Sequence, residues 1–149
     1  MDIIDLSQTI SLNAPVAPGA PRPGISSLLK TPGDIANLEI LRITTHTGTH
    51  VDAPKHYMHD GKSIDKIPAQ AFAGNYVAVD LFHKKDDEAI SEADLSGYSK
   101  KIKPGGIILL CTGWGLKRSN TKRWIHRSPY LDESGAKWLV RKKIKGVGI

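Results

Sequence analysis

Residues 46–56 form the stretch His46-Thr-Gly-Thr-His-Val-Asp-Ala-Pro-Lys-His56. Four of its side chains can bind a metal or carry a proton. Gly48 permits backbone shapes that other residues resist, and Pro54 disfavours a helix at the residue before it. We therefore expect a strand that gives way to a tight loop. The helical zinc-protease pattern is excluded, because it also requires a Glu directly after the first His.

The residue types in this loop favour a catalytic metal site. His46, His50 and Asp52 can fold around one ion and leave coordination positions open, as catalytic sites do. Two neutral imidazoles and one carboxylate suit zinc, manganese or iron. His56 can exchange protons near neutral pH and lies close in sequence, so it is the candidate proton shuttle. The alternative is that these side chains are ordinary exposed residues of a loop.

Patterns of apolar residues predict the strands. Residues 38–44 mix apolar and polar side chains, which predicts a half-buried strand with either a bulge or a partly covered outer face where the alternation slips. Residues 76–82 and 107–111 are apolar runs of strand length, typical of a sheet interior. Residues 13–33 are rich in Pro, Gly and Ala and predict a long loop.

Capping residues and amphipathic spacing predict the helices. Ser91 with Asp94 forms a loose capping box before a short helix. Residues 132–144 predict a longer helix that Gly146 ends. Strands interspersed with such helices predict an α/β fold with a mixed sheet, as a single domain over residues 1–149.

Composition narrows the class of protein. A hydrophobic content of 40% and a charged content of 24% are ordinary for soluble globular proteins. The N-terminus has neither a basic segment nor a long apolar run, so we expect no signal peptide, no membrane span and a cytoplasmic location. The single cysteine, Cys111, fits a reducing compartment, and its apolar surroundings predict packing rather than nucleophilic chemistry.

Basic residues dominate the last third of the chain. From residue 100 onward there are thirteen Lys or Arg residues against two acidic ones, and the whole chain carries a formal net charge of +6. Such a surface can attract an anionic substrate or an acidic partner, or it can be an ordinary solvated face. Nucleic-acid binding is not expected, because the basic segment 117–127 carries one aromatic residue and no recognised binding motif.

The stretch from His46 to His56 closely resembles the signature of the cyclase-like metal-dependent hydrolases, the family of bacterial kynurenine formamidase and isatin hydrolase. The resemblance extends along the chain. Residues 4–10 resemble the family's opening strand, residues 67–81 its short helix and next strand, and residues 106–114 its strand that ends in Thr-Gly-Trp.

The resemblance implies that His46, His50 and Asp52 bind the metal, zinc or manganese, and that His56 is the catalytic acid/base. It also implies the swivelling β/β/α architecture and a homodimer or homotetramer. Family members supply a further His and Glu to the metal centre from a later segment, so we expect the domain over residues 1–149 to be incomplete at its C-terminus. In family members the Pro-rich loop helps to close the active site, often with an aromatic residue that stacks on the substrate. Residues 13–33 contain none, and no substrate-binding residue is predicted.

The activity that the resemblance implies is hydrolysis of a small amide. N-formylkynurenine, which gives kynurenine and formate in tryptophan catabolism, is the first candidate substrate. A cyclic amide such as isatin is the alternative, because the motif determines the reaction and not the pocket. A third interpretation is a catalytically impaired metal-binding protein whose basic face binds a partner.

Overall fold

The computed structural model describes residues 2–149, which fold into two compact units. The first comprises the residues up to His50 together with Ser119–Thr121, and the second comprises Val51–Arg118 and Lys122–Ile149. Strands and short helices occur together, so the predicted α/β class is confirmed. The grouping of residues 1–149 as one domain stays a prediction.

The first unit contains one antiparallel pair of strands, β1 (Gly24–Leu29) and β2 (Leu38–Arg42). Strand β1 lies inside the segment that was predicted as a loop, so that prediction was wrong at residues 24–29. All five residues of β2 are exposed, which corrects the expectation of a half-buried strand. A two-stranded pair has only one ladder, so an apolar pattern in it does not by itself create burial. The register shift of the pair lies on β1, between Ser27 and Leu29.

The N-terminal segment differs from the family expectation. Residues 4–10 form no strand. Instead, the backbone N–H of Gln8 donates to the side-chain Oγ1 of Thr49 at 2.9 Å. The segment therefore contacts the motif loop without joining a sheet.

The second unit holds the remaining regular elements. Four short 3₁₀ helices lie at Pro54–His56, Ile64–Lys66, Ala69–Phe72 and Trp114–Lys117. In chain order the others are β3 (Tyr76–Asp80), β4 (Ala89–Ile90), α1 (Glu92–Ser96), β5 (Ile107–Cys111), α2 (Lys122–His126), β6 (Tyr130–Leu131), α3 (Glu133–Arg141) and β7 (Gly146–Gly148).

The main sheet has the order β3-β5-β7, and all its neighbours are parallel. Strands β4 and β6 form a second, smaller parallel pair. Parallel and antiparallel pairings therefore lie in separate sheets of the described chain, not in the single mixed sheet that was predicted. The reason is that each connection between strands of the main sheet includes a helix, and such crossovers join parallel strands.

The hydrophobic core of the second unit lies on one face of the main sheet. Alternate residues of β3 and β5 point to this face, as period-2 strands require. Helices α1 and α3 cover it. The buried residues include Val79, Leu81, Leu95, Ile108, Leu110, Trp138 and Leu139. Strand β5 is central, as predicted for a sheet interior, whereas β3 is an edge strand with exposed residues.

The first residues of the helices agree with the sequence predictions better than the last residues do. The backbone N–H and hydroxyl of Ser91 donate to Oδ2 of Asp94, which confirms the capping box. Asp132 caps α3 by accepting from the N–H of Gly135 at 2.8 Å. This helix ends at Arg141, before the predicted residue 144, because Lys143 takes the left-handed conformation with φ of 54°. Within residues 2–149, no helix is long and apolar enough to cross a membrane.

Candidate metal centre

The motif loop is shaped by a buried threonine and a glycine. The backbone N–H of Thr44 donates to Oγ1 of Thr47, whose residue is only 5% exposed. Gly48 has φ of +67°, a conformation that side chains rarely adopt. A Cβ at this position would lie 3.1 Å from Cγ1 of Ile10. The loop is therefore tight, and the prediction that residues 46–56 do not form a continuous α-helix is confirmed.

Two imidazoles of the motif face each other. Nδ1 of His46 lies 3.0 Å from Nε2 of His50, and Nδ1 of His50 lies 2.8 Å from the carbonyl oxygen of Gly48. A carbonyl oxygen can only accept, so Nδ1 of His50 carries a proton and donates it. In the neutral ring, Nε2 of His50 then has a lone pair directed towards His46. Such an outer hydrogen bond is the usual way in which proteins orient a metal-binding histidine.

The three predicted ligands come together and fit a metal ion. One ligand atom each from His46, His50 and Asp52 can be chosen so that all lie within 4.8 Å of one another. Two nitrogens bound tetrahedrally to zinc would be about 3.3 Å apart, from zinc–nitrogen distances of about 2.05 Å. The observed 3.0 Å between the imidazole nitrogens is close to this value. The ligand atoms come from seven consecutive residues, so the local backbone sets most of the arrangement.

The candidate acid/base lies on a separate short element. His56 is the last residue of the 3₁₀ helix Pro54–His56, and Pro54 occupies its first turn, where a missing N–H costs nothing. The imidazole is exposed, and its centroid lies 4.2 Å from the ring centroid of Tyr57 at an interplanar angle of 61°. Its assignment as acid/base stays a prediction, as do the ligand assignments.

The segment that carries His56 forms a compact turn held by backbone hydrogen bonds. Backbone N–H groups of Met58 and Lys55 donate to the carbonyls of Pro54 and Lys62, at 2.9 and 3.2 Å. Gly61 allows this closure, because a Cβ there would lie 2.6 Å from backbone atoms. The role of this turn in holding the His56 segment was not predicted from the sequence. The signal was the Asp-Gly pair itself.

A further histidine, His59, and the single cysteine, Cys111, lie outside this cluster. The side chain of His59 is 100% exposed. Cys111 is half-buried on β5, and its thiol contacts the carbonyl of Leu109 at 3.7 Å. Packing is the role that this position supports.

Part of the basic segment 117–127 is engaged in internal contacts. Arg123 pairs with Asp86 through two hydrogen bonds of 2.6 and 2.9 Å, and these hold the pKa of the Asp86 carboxyl below its usual value. Trp114 and Trp124 exchange hydrogen bonds, each indole N–H donating to the other residue's carbonyl at 2.9 and 3.1 Å. These contacts fix α2 beside the end of β5.

A buried lysine, Lys84, lies in the loop between β3 and β4. The side chain of Lys84 is 6% exposed, and its Nζ lies 2.9 Å from Asp94 and 3.2 Å from Glu88. Burial lowers the pKa of Lys84, but the hydrogen bonds that Lys84 donates to Asp94 and Glu88 outweigh this effect and raise the pKa overall. Burial likewise opposes ionisation of Asp94, yet hydrogen bonds from Lys84 and Ser91 lower its pKa to about 2. This ion pair anchors the start of α1.

Comparison with known proteins agrees with the motif. The family described as "Putative cyclase" matches residues 4–149. Kynurenine formamidase of Geobacillus thermodenitrificans is 29% identical over 150 residues, which cover 98% of this chain and 66% of that protein. An uncharacterized protein of Haemophilus influenzae is 34% identical over 113 residues, covering 74% of this chain and 80% of that protein.

Solved structures show the same fold. Isatin hydrolase A from Labrenzia aggregata, bound to benzyl benzoate, superimposes with a TM-score of 0.82 at 25% identity. The superposition covers 97% of this chain and 65% of that one. The chain thus spans slightly less than two thirds of the length of the kynurenine formamidase and the isatin hydrolase that it matches.

Proposed function

The chain belongs to the cyclase family, and on that premise we propose that it is a metal-dependent hydrolase of a small amide. The observation that carries the proposal is the convergence of His46, His50 and Asp52 on a space that an ion can occupy. The outer hydrogen bond from His50 to Gly48 adds the orientation that a metal ligand needs. Exposure of His50 and Asp52 leaves room for a substrate to approach.

The proposed chemistry divides between the metal and His56. His46, His50 and Asp52 would hold zinc or manganese, and the bound ion would supply Lewis acidity that polarises a carbonyl and lowers the pKa of water towards neutrality. Water adds to the amide carbonyl carbon, and the imidazole of His56 accepts the proton that the water loses. The same imidazole then returns the proton to the leaving nitrogen as the C–N bond breaks. The products are a carboxylic acid and an amine.

The proposed substrate is N-formylkynurenine, with kynurenine and formate as products. Similarity to a kynurenine formamidase over 98% of the chain supports this choice. The second candidate is isatin, which the TM-score of 0.82 to an isatin hydrolase supports. The two differ in that isatin is a cyclic amide, so its hydrolysis leaves one product rather than two.

The proposal is tested by assaying the purified chain, loaded with zinc or manganese, on both substrates. His56→Ala should abolish turnover while leaving the metal content near that of wild type, because His56 is proposed to move protons and not to bind the ion. His59→Ala is the matched control, since it removes an exposed histidine of the same segment and should change neither quantity.

The outcomes separate the interpretations. Loss of metal in His56→Ala would show that His56 is a ligand. In His50→Ala, metal content measured by mass spectrometry should fall below half of the wild-type value, because one of three ligands is lost. Stoichiometric metal without turnover on either substrate would contradict the hydrolase and favour a metal-binding protein instead.

Two further features belong to the same proposal. We propose a homodimer or homotetramer, which the exposed apolar residues of β2, Leu38, Ile40 and Leu41, support. Light scattering on the eluted protein would measure its mass directly, and a monomer would refute this. We also propose that the protein works in the cytoplasm, where a half-buried free cysteine such as Cys111 stays reduced.

A further inference from the structure

Tyr57 is an exposed aromatic residue that packs against the candidate acid/base. Its side chain is among the most exposed of the described hydrophobic residues, at 90%, so the core does not require it. Its ring nevertheless lies edge-on to the imidazole of His56, with centroids 4.2 Å apart. Aromatic pairs in this arrangement attract one another because the edge of one ring is positive and the face of the other is negative.

The backbone around the two rings is already fixed. The N–H of Tyr57 donates to the carbonyl of Pro54 at 3.2 Å, and the N–H of Met58 donates to the same carbonyl at 2.9 Å. Gly61 donates to the carbonyl of Met58 and closes the turn. With the backbone held in this way, the orientation of the imidazole is determined by rotation about the side-chain bonds of His56. A neighbouring ring restricts that rotation.

We propose that Tyr57 is a positioning residue for His56. The ring contact holds the imidazole in the orientation from which it exchanges a proton with water and the leaving nitrogen. This inference rests on the proposed function, since it assigns His56 the role of acid/base. A misplaced proton acceptor lowers the rate of the chemical step more than it weakens substrate binding.

The kinetic test compares three variants of Tyr57 in the metal-loaded chain. Tyr57→Ala should lower kcat about two- to tenfold with KM unchanged, the range expected from an aromatic pair. Tyr57→Phe keeps the ring and should restore kcat, whereas Tyr57→Leu should not. Met58→Ala is the control, because it truncates the next exposed side chain of the same turn and should leave kcat unchanged.

A second measurement does not depend on activity. Proton NMR of the imidazole of His56, assigned with a His56→Gln variant, should show cross-peaks to the ring of Tyr57. These cross-peaks should persist with Phe at position 57. In Tyr57→Leu the imidazole shifts should also move, because the ring current is lost.

Each outcome decides the inference. A rise in KM with unchanged kcat would overturn it, since Tyr57 would then contact the substrate. Equal imidazole shifts in wild type and Tyr57→Leu would also overturn it. If the wild-type chain turns over neither substrate while the ring cross-peaks are present, the proposed function fails and the positioning role in catalysis falls with it. The ring contact is still established in that case, so the two failures are distinguishable.

Discussion

Replacing Asp94 by Asn should remove a pH-dependent part of the stability. The variant keeps the shape of the side chain but loses the charge that faces the buried Lys84. The pKa of Asp94 falls from its usual 3.8 to about 2 in the folded protein. At about 1.36 kcal/mol per pKa unit, this difference corresponds to about 2.5 kcal/mol of folding free energy. The side chain is only 18% exposed, so solvent screening weakens the pair little.

The direction in which stability changes with pH follows from the lowered pKa of Asp94. Because folding lowers this pKa, the contribution is fully present above about pH 4 and is lost as the pH falls through about 2. Between pH 6 and pH 3 the wild type should lose about 1 kcal/mol that Asp94→Asn does not lose.

Urea unfolding at a series of pH values between 6 and 3 measures this difference. Subtracting the free energy of unfolding of Asp94→Asn from that of the wild type at each pH cancels the contributions of the other carboxylates. Several of these also have lowered pKa values. Asp60→Asn serves as the control, because the side chain of Asp60 is 98% exposed and should follow the wild-type curve. Parallel pH curves for wild type and Asp94→Asn would refute the reasoning.

Two substitutions test the backbone and the aromatic contacts. Gly61→Ala should lower the free energy of unfolding by about 1–3 kcal/mol, because its Cβ would lie 2.6 Å from the backbone of Pro54. Gly97→Ala is its control, since a Cβ there meets nothing within 4 Å; an equal loss in both would contradict the steric reason. Trp124→Phe removes the indole donor to the carbonyl of Trp114 and should cost about 1 kcal/mol by urea unfolding. An unchanged midpoint would show that this hydrogen bond adds nothing.

Elements determined by neighbouring residues could be predicted from the sequence. Strand β5 has the predicted bounds, 107–111, because an uninterrupted apolar run of strand length suits the centre of a parallel sheet. The starts of α1 and α3 follow from Ser91 and Asp132, whose side chains act within one helical turn. In both cases the decisive interaction spans three residues or fewer, so a local pattern contains it.

Elements that depend on distant partners could not be predicted in this way. Strand β1 exists because Gly24–Leu29 pairs with β2, and nothing within its own six residues distinguishes it from a loop. The burial of Lys84 depends on Asp94, ten residues later, and a charged run otherwise indicates a solvated surface. Gly146 was expected to end α3 because glycine favours helix ends, but Lys143 took the left-handed conformation first.

The candidate site, within eleven residues, also combines features that could be predicted from the sequence with features that could not. The types of side chain at His46, His50 and Asp52 indicated a metal, and the structure brings these three together. The orientation of His50, however, depends on a carbonyl oxygen, that of Gly48, and every residue has such an oxygen. The sequence motif indicates this carbonyl acceptor only indirectly, through Gly48, whose positive φ permits the turn. A metal ligand must be correctly oriented as well as present. The chemistry of the motif therefore depends as much on its glycine as on its histidines.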